Sequence, residues 1–325
     1  MVLLNFLVFT SIKISRVAKE DVTDLKEFGK HYAFICDLDY NGEMWKEIFE
    51  GASKYAEKND AYVEWFGKNL MEKYTKVDLV KMAVAAKVDG IILQGDDSEE
   101  LVRQIEQAKY KGIPVVTLSK DCFGSYRNSF IGISSYNLGK EYANYLISNA
   151  RPTDKSILVV IESELEDDRE KLIYTGFKES MQARSGKVYD IDTMIVGRDV
   201  FEVEKSVREL LLSDEQLPDI IVCLDELTTS AFSQLTVDYN RVGESRIIGF
   251  YDSETCLYAI ERKILEASLT TNANYMGTKS IDVLNDCAAG KVVSEYLPID
   301  TQLITRANVK SYIDKKKYNE SKQVQ

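Results

Sequence analysis

Histidine is nearly missing from this chain, and the one present, His31, opens the first strand-like run. A Ser-His-Asp or Cys-His mechanism would have to rest on that single side chain, placed away from where an α/β fold gathers its ligands. No Walker loop, no G-x-G-x-x-G after the first strand and no H-E-x-x-H occurs. The five cysteines, Cys36, Cys122, Cys223, Cys256 and Cys287, show no C-x-x-C spacing and are odd in number. They read as small buried hydrophobes rather than metal ligands, redox centres or a paired disulfide framework. The chain is therefore expected to be no enzyme and to need no cofactor or metal.

Four prolines and seventeen glycines gather into no rich stretch. No flexible linker separates independent halves, although 325 residues exceed the span over which one core normally grows. Positive charge is also short: 41 Lys and Arg against 53 Asp and Glu give −12, a field that repels polyanions and disfavours nucleic acid. No apolar run reaches the roughly 20 residues that cross a bilayer. Val2 to Ile12 comes nearest, with no Lys or Arg before it, and reads as the remnant of a signal or anchor, or as a hydrophobic end packed on a partner or on the body. Arg16 to Lys30 reads as a stalk or leading helix, and residues 316–325 as a polar, frayed tail.

What is present is a sentence written twice between Lys76 and Ser119. DLVKMAVAAKVDGIILQG and ELVRQIEQAKYKGIPVVTLS each run from an amphipathic helix through a turn into a short apolar stretch. Leu79, Met82 and Ala86 recur at helical spacing, Gly90 marks the turn, and Ile91 to Leu93 form a strand buried on both faces. The second copy repeats this with Leu101, Ile105 and Ala108, then Gly112 and Ile113 to Leu118, where Pro114 sits at the tolerated first position. Strand-like runs alternate with helical ones nearly from end to end, which predicts an α/β fold of two lobes with parallel sheets.

The order of HYAFICDLDYNGEMWKEIFEGASKYAEKNDAYVEWF, KVDGIILQGDD, GIPVVTLSKD, FIGISSYNLGKEYANYL, PDIIVCLDELTTSAF, RIIGFYD and EASLTTNANYMGTKSIDVL resembles the type I periplasmic sugar-binding proteins, the ribose-binding and LacI-like group. The resemblance covers about residues 31 to 305. It implies two Rossmann-like lobes joined by a three-crossing hinge near Ser134, Thr271 and Asp300 to Gln302. The amino lobe would hold 30–133 with 272–300, and the other lobe 134–271 with 301–315, after a leading segment 1–29. Ligand would lie between the lobes at the carboxyl ends of the strands. A transcription regulator of this group carries a helix-turn-helix of roughly 60 residues, and no such pattern occurs in the residues before the first strand.

The resemblance places the binding groups. In the first loop Asp39, Tyr40, Asn41 and Trp45 supply a polar edge and an aromatic platform; Trp45 serves as a stacking face or joins Ile48 and Phe49 on the buried side of its helix. Where the group carries an Asp-Arg pair this chain has Ser119 and Lys120, followed by Asp121, and a lysine lacks the guanidinium fork. The binding arginine maps to Lys171, with Arg169 as the alternative. Asn-Asp-Glu becomes Leu224-Asp225-Glu226, so Asp225 either accepts hydroxyls or caps the following helix. Tyr251 with Asp252, and Thr271 with Asn272, replace the usual aspartate and the usual hinge glutamine. The acidic run Glu162 to Asp168 reads as a solvated loop from which Glu162 or Glu164 approaches the cleft.

These departures point away from tight capture of a common hexose. The pattern is most similar to the extracytoplasmic, membrane-associated sugar sensors that partner a LytS-type histidine kinase, xylose-responsive in clostridia. A monosaccharide such as D-xylose is then the expected ligand. The alternative partner is the permease of an ABC importer, for which the chain would be the solute receptor.

Overall fold

The computed structural model describes residues 27–323 apart from 38–41, 97, 163–167, 198 and 214–215. The apolar run Val2 to Ile12 and most of the stalk lie outside the described residues. Alternating apolar runs and helical patterns fold as two sheets of six strands each, with helices on their faces.

The first sheet collects β1 (Lys30–Ile35), β2 (Ala61–Trp65), β3 (Gly90–Gln94), β4 (Val115–Leu118), β5 (Ser129–Gly132) and β11 (Tyr296–Pro298), all parallel, in the order β11-β5-β4-β3-β1-β2. The second collects β6 (Ser156–Ile161), β7 (Asp190–Ile195), β8 (Ile220–Cys223), β9 (Arg246–Phe250), β10 (Ala267–Thr271) and β12 (Thr301–Thr305), in the order β12-β10-β9-β8-β6-β7. Only β12 runs antiparallel to its neighbour, β10. The chain thus passes between the sheets after β5, after β10 and between β11 and β12.

Central strands are apolar because helices cover both faces: Ile91, Ile92 and Leu93 are wholly buried, as are Phe34 and Ile35 beside them. In the amino lobe α1 (Glu43–Lys58), α2 (Lys76–Ala86) and α3 (Glu99–Tyr110) alternate with strands, and α9 (Ala273–Ala288) packs on α1. In the other lobe α4 (Ser135–Ser148) packs on α5 (Asp168–Arg184), and α6 (Val200–Leu212), α7 (Glu226–Asp238) and α8 (Glu254–Glu261) complete the layers.

Three details differ from the sequence reading. The buried stripe of α2 is Leu79, Val80 and Ala83, whereas Met82 is half-buried and Ala86 exposed, because the helix turns a different face to the sheet. The turn after it is made by Lys87 in the left-handed region, φ 57°, not by Gly90. Gly90 instead opens β3, where a Cβ would lie 2.8 Å from Leu284 and 3.0 Å from Tyr32. Finally, residues 309–323 form a helix, α10 (Val309–Gln323), so most of the stretch read as a frayed tail is structured. Val309, wholly buried, and half-buried Tyr312 and Ile313 anchor its first turns on the second lobe, an apolar signal masked by the Lys-rich sequence between them and the chain end.

Four of the five cysteines are buried and Cys287 is half-buried; all five are free thiols. Burial pushes the thiols of Cys36, Cys122 and Cys256 up to about 12, which makes them unreactive. His31 pairs with Glu64 at 2.9 Å near the start of β1, the end of the sheet away from the cleft. No helix among the described residues is long and apolar enough to cross a membrane.

Candidate functional site

Parallel strands of one sheet all end on the same side, so loops from several strands converge there. Between the lobes, at those carboxyl ends, lies a cleft of about 600 Å³. Its amino-lobe wall is built by Asp37 after β1, Gln94 and Asp96 at β3, Ser119 and Lys120 after β4, and Lys76 at the start of α2. The other wall carries Glu162, Arg169, Asp225, Glu226 and Phe250.

The polar groups are held in fixed pairs. Lys76 Nζ lies 3.1 Å from Asp37 and 2.9 Å from Asp96, with its side chain only 11% exposed. Burial opposes the ammonium, but the two carboxylates outweigh it and hold its pKa above the usual lysine range. Gln94 Oε1 accepts from the Asp37 amide at 2.7 Å. Across the cleft the Arg169 guanidinium sits over the Phe250 ring, 5.9 Å from its centroid.

Asp225 is the N-cap of α7, accepting from the Thr228 amide at 2.8 Å and its hydroxyl at 2.7 Å. Burial raises its pKa despite those donors and the nearby Arg169 charge. Capping and lining the cleft are thus both true of it. Trp45 also lines the cleft but is 2% exposed, edge-on to Phe34 and part of the amino-lobe core with Ile48. It offers a rim rather than an open stacking face; half-exposed Tyr74 is the more accessible aromatic on that side.

Of the two mapped cations, Arg169 faces the cleft, while Lys171 is exposed on α5 and lines none of it. Asp121 leaves the cleft too, because Arg127 grips both its oxygens. Tyr251, Asp252, Thr271 and Asn272 do not reach the cleft wall. Tyr251 is wholly buried beneath it, Asp252 accepts from Tyr312 and Lys316, and Thr271 ends β10. Asn272 caps α9, accepting from the Tyr275 amide at 2.8 Å. The chain turns into the hinge here, so side chains that extend a linear motif point sideways or down. Asp39, Tyr40, Asn41 and Glu164 lie outside the described residues.

Sequence reasoning missed Asp37, Lys76, Gln94, Asp96 and Phe250. Four of these sit at strand ends within the runs that carried the resemblance, and a rule taking the first polar residue beyond each strand would have found Asp37 and Asp96. Lys76 had no signal, since it arrives from a helix start and only tertiary structure brings it between two carboxylates.

The lobes also clasp each other. Glu226, the first residue of α7, accepts from the amides of Glu43 at 2.9 Å and Met44 at 3.4 Å. Helix α1 has no side-chain cap of its own, so the opposite lobe satisfies its free N–H groups and dipole. Glu43 in turn accepts from the Glu254 amide that opens α8, at 3.1 Å. Lys316 of α10 bridges Glu47 of the amino lobe at 2.6 Å and Asp252 of the other at 2.8 Å.

Desolvation by burial raises the pKa of Glu226 and of Glu47, although amide and lysine donors pull the other way. Opening the cleft would return both to water, so the closed form binds protons more tightly and closure is favoured as pH falls, and lost as pH rises through the raised values. Ligand affinity that depends on closure is therefore expected to rise as pH falls from neutral toward the ordinary glutamate range, and Glu226→Gln to flatten that rise. Calorimetric titrations across the range check this; an affinity that falls toward acid in the parent chain rejects it.

The periplasmic binding protein domain matches residues 32–292 of the chain. Among solved structures, the XylFII molecule superposes with a TM-score of 0.74 at 24% identity, over 85% of this chain and 98% of its own. The XylFII-LytSN complex gives 0.74 at 24% identity, over 86% and 98%. GanP, a glucose-galactose binding protein from Geobacillus stearothermophilus, gives 0.74 at 21% identity, over 86% and 98%. No curated protein matches the chain.

Proposed function

Because the chain belongs to the periplasmic binding protein domain family, whose members are receptors rather than an enzyme class, we propose that it is an extracytoplasmic sensor. It closes around a monosaccharide, a pentose such as D-xylose, and signals closure to a membrane histidine kinase. The observation that carries this is the cleft itself: fixed charged groups face one another across a space of about 600 Å³, large enough to admit a monosaccharide, with Lys76 between Asp37 and Asp96 on one wall and Arg169 on the other. Ionised side chains are the strong partners for pairs of sugar hydroxyls, and aromatic edges cover C–H faces. The likeness in fold to the XylFII-LytSN complex supports the signalling role.

Signalling requires that ligand bind the closed form better than the open one. The clasp of Glu226, Glu43 and Lys316 supplies the closed geometry, and a sugar touching both walls adds the difference in binding energy. Of the ligand contacts proposed from the sequence, Trp45, Ser119, Lys120, Arg169 and Asp225 line the cleft and are kept, and Asp37, Lys76, Gln94 and Asp96 are added. Fold likeness extends equally to receptors of sugar ABC transporters, so a permease is the alternative reader of closure.

Isothermal titration with xylose, ribose, arabinose, glucose and galactose tests the reading. One pentose is expected to bind, with Arg169→Ala weakening it by roughly 10- to 100-fold, the loss of one charged hydrogen bond of about 1.5–3 kcal/mol. Lys171→Ala is expected to bind like the parent. Heat from none of the sugars rejects the ligand class, and equal losses in the two variants reject the placement of Arg169. Pentose-dependent association with a purified kinase sensor domain separates sensor from transport receptor.

A further inference from the structure

A second concavity, larger than the cleft, is present among the described residues. It lies on the amino lobe at the opposite, amino ends of the strands, with a volume of about 1080 Å³. Lys30 at the start of β1, Asp89 before β3, Pro114 before β4 and Asn128 before β5 fix its position.

Its charge is opposite to that of the molecule. Lys30, Lys81, Lys87, Lys109, Lys111 and Arg127 face one space that holds a single carboxylate, Asp89, on a chain of net charge −12. Cations at helix ends complement the dipole, which accounts for Lys87 after α2 and Lys111 after α3. It does not account for Lys30, Lys81 and Arg127 converging on the same hollow. Three of the six already have partners: Arg127 holds Asp121, Lys30 donates to Asn285 at 2.8 Å, and Lys81 is 3.4 Å from Asp78. Lys87 and Lys111 are exposed with no ion pair among the described residues, and Lys109 lies 4.1 Å over the Tyr126 ring.

The floor is apolar, made by Val84, Val88, Ile113 and Pro114, and Gln104, Gln107 and Asn128 bring amides to its edge. A site that is positive at the rim, apolar at the base and furnished with amide donors and acceptors suits an extended peptide carrying both carboxylates and apolar side chains. Broad polyanions fit worse: a charged membrane or nucleic acid would face the whole acidic body, whereas a short segment meets only the basic hollow. From these observations we infer that the basic pocket beneath the amino lobe docks an acidic, partly apolar segment of a partner protein.

Docking there leaves the cleft free, since the two concavities lie at opposite ends of one sheet. The same partner can stay bound whether the lobes are open or closed, holding the receptor in place while closure is read elsewhere.

The test uses the full chain and a fluorescein-labelled peptide of about ten residues alternating Glu with Leu, followed by fluorescence anisotropy. Saturable binding that weakens with added salt is expected. The triple variant Lys87→Glu, Lys109→Glu, Lys111→Glu is expected to lose on the order of tenfold or more, because three rim charges are reversed. The triple Lys→Gln variant at the same positions, which avoids new repulsion with the helix ends, is expected to lose a smaller factor. Thermal melting of both variants near that of the parent shows that the fold is kept. No saturable binding of the peptide, or equal binding by parent and variants, overturns the inference. Phosphatidylglycerol vesicles that bind the parent more tightly than the peptide does, with binding lost in the same variants, overturn it in favour of a membrane surface.

Discussion

Arg246→Met is expected to destabilise the second lobe by about 3–5 kcal/mol, the usual cost of removing one partner from a buried ion group. Arg246 opens β9, with its side chain 6% exposed. Its guanidinium holds Asp154 through Nη1 and Glu266 through Nη2 and Nε. Methionine replaces the stem but not the charge, so two carboxylates are left with too few donors. The Tyr145 hydroxyl still reaches Glu266 at 3.0 Å, and Arg151 reaches it at 2.8 Å. Arg151→Met is the control: that side chain is 56% exposed, and exposed pairs contribute about 0–1 kcal/mol. Urea unfolding followed by circular dichroism measures both, and equal midpoints for Arg246→Met and the parent would refute the claim.

The group also sets a pH dependence. Burial opposes ionisation of Glu266, yet the Arg246 guanidinium outweighs it and lowers the pKa. The stabilisation is present above the ordinary glutamate range and is lost as pH falls through the lowered value. Arg246 sits at the amino end of β9 and Phe250, in the cleft, at the carboxyl end. Folded Arg246→Met is therefore expected to bind ligand as the parent does.

Gly277→Val is expected to cost about 3 kcal/mol, at the upper end of the overpacking range, and to weaken ligand binding as well. Helices α1 and α9 cross so closely that a Cβ on Gly277 would lie 2.0 Å from the Ile48 carbonyl oxygen and 2.7 Å from the Ala52 amide. Gly51 faces the same crossing, where a Cβ would meet the Asn274 carbonyl at 2.4 Å. These obstacles are backbone and cannot swing aside, so the helices must part. Helix α1 carries Trp45 into the cleft and Glu43 and Glu47 into the clasp, which ties packing here to affinity. A Gly277→Val protein with parent-like melting and parent-like titration curves would show that the crossing yields freely.

The cleft was only partly legible. Arg169, Asp225, Ser119, Lys120 and Trp45 were named from aligned motifs and do line it, because each lies at or just beyond a strand or helix end that the motif spacing fixes. Tyr251, Asp252, Thr271 and Asn272 were named by the same logic and do not line it. Tyr251 has φ 78°, and this left-handed turn sends the next residues toward α10 and the hinge. A one-dimensional motif carries no sign for such a change of direction.

By itself the sequence determined the architecture: apolar runs too short and too continuous for anything but buried parallel strands alternate with amphipathic helices, and that period survives any particular packing. From counts it set two expectations: a single histidine leaves little for histidine-based chemistry, and a net charge of −12 disfavours extended polyanions. Tertiary structure alone decided which charges meet. Lys76 between Asp37 and Asp96, Glu226 at the amino end of a helix 183 residues away, and Lys316 between the lobes are pairings across the hinge or between distant strand ends. Such contacts depend on angles and distances between packed elements, which no local pattern of residues encodes.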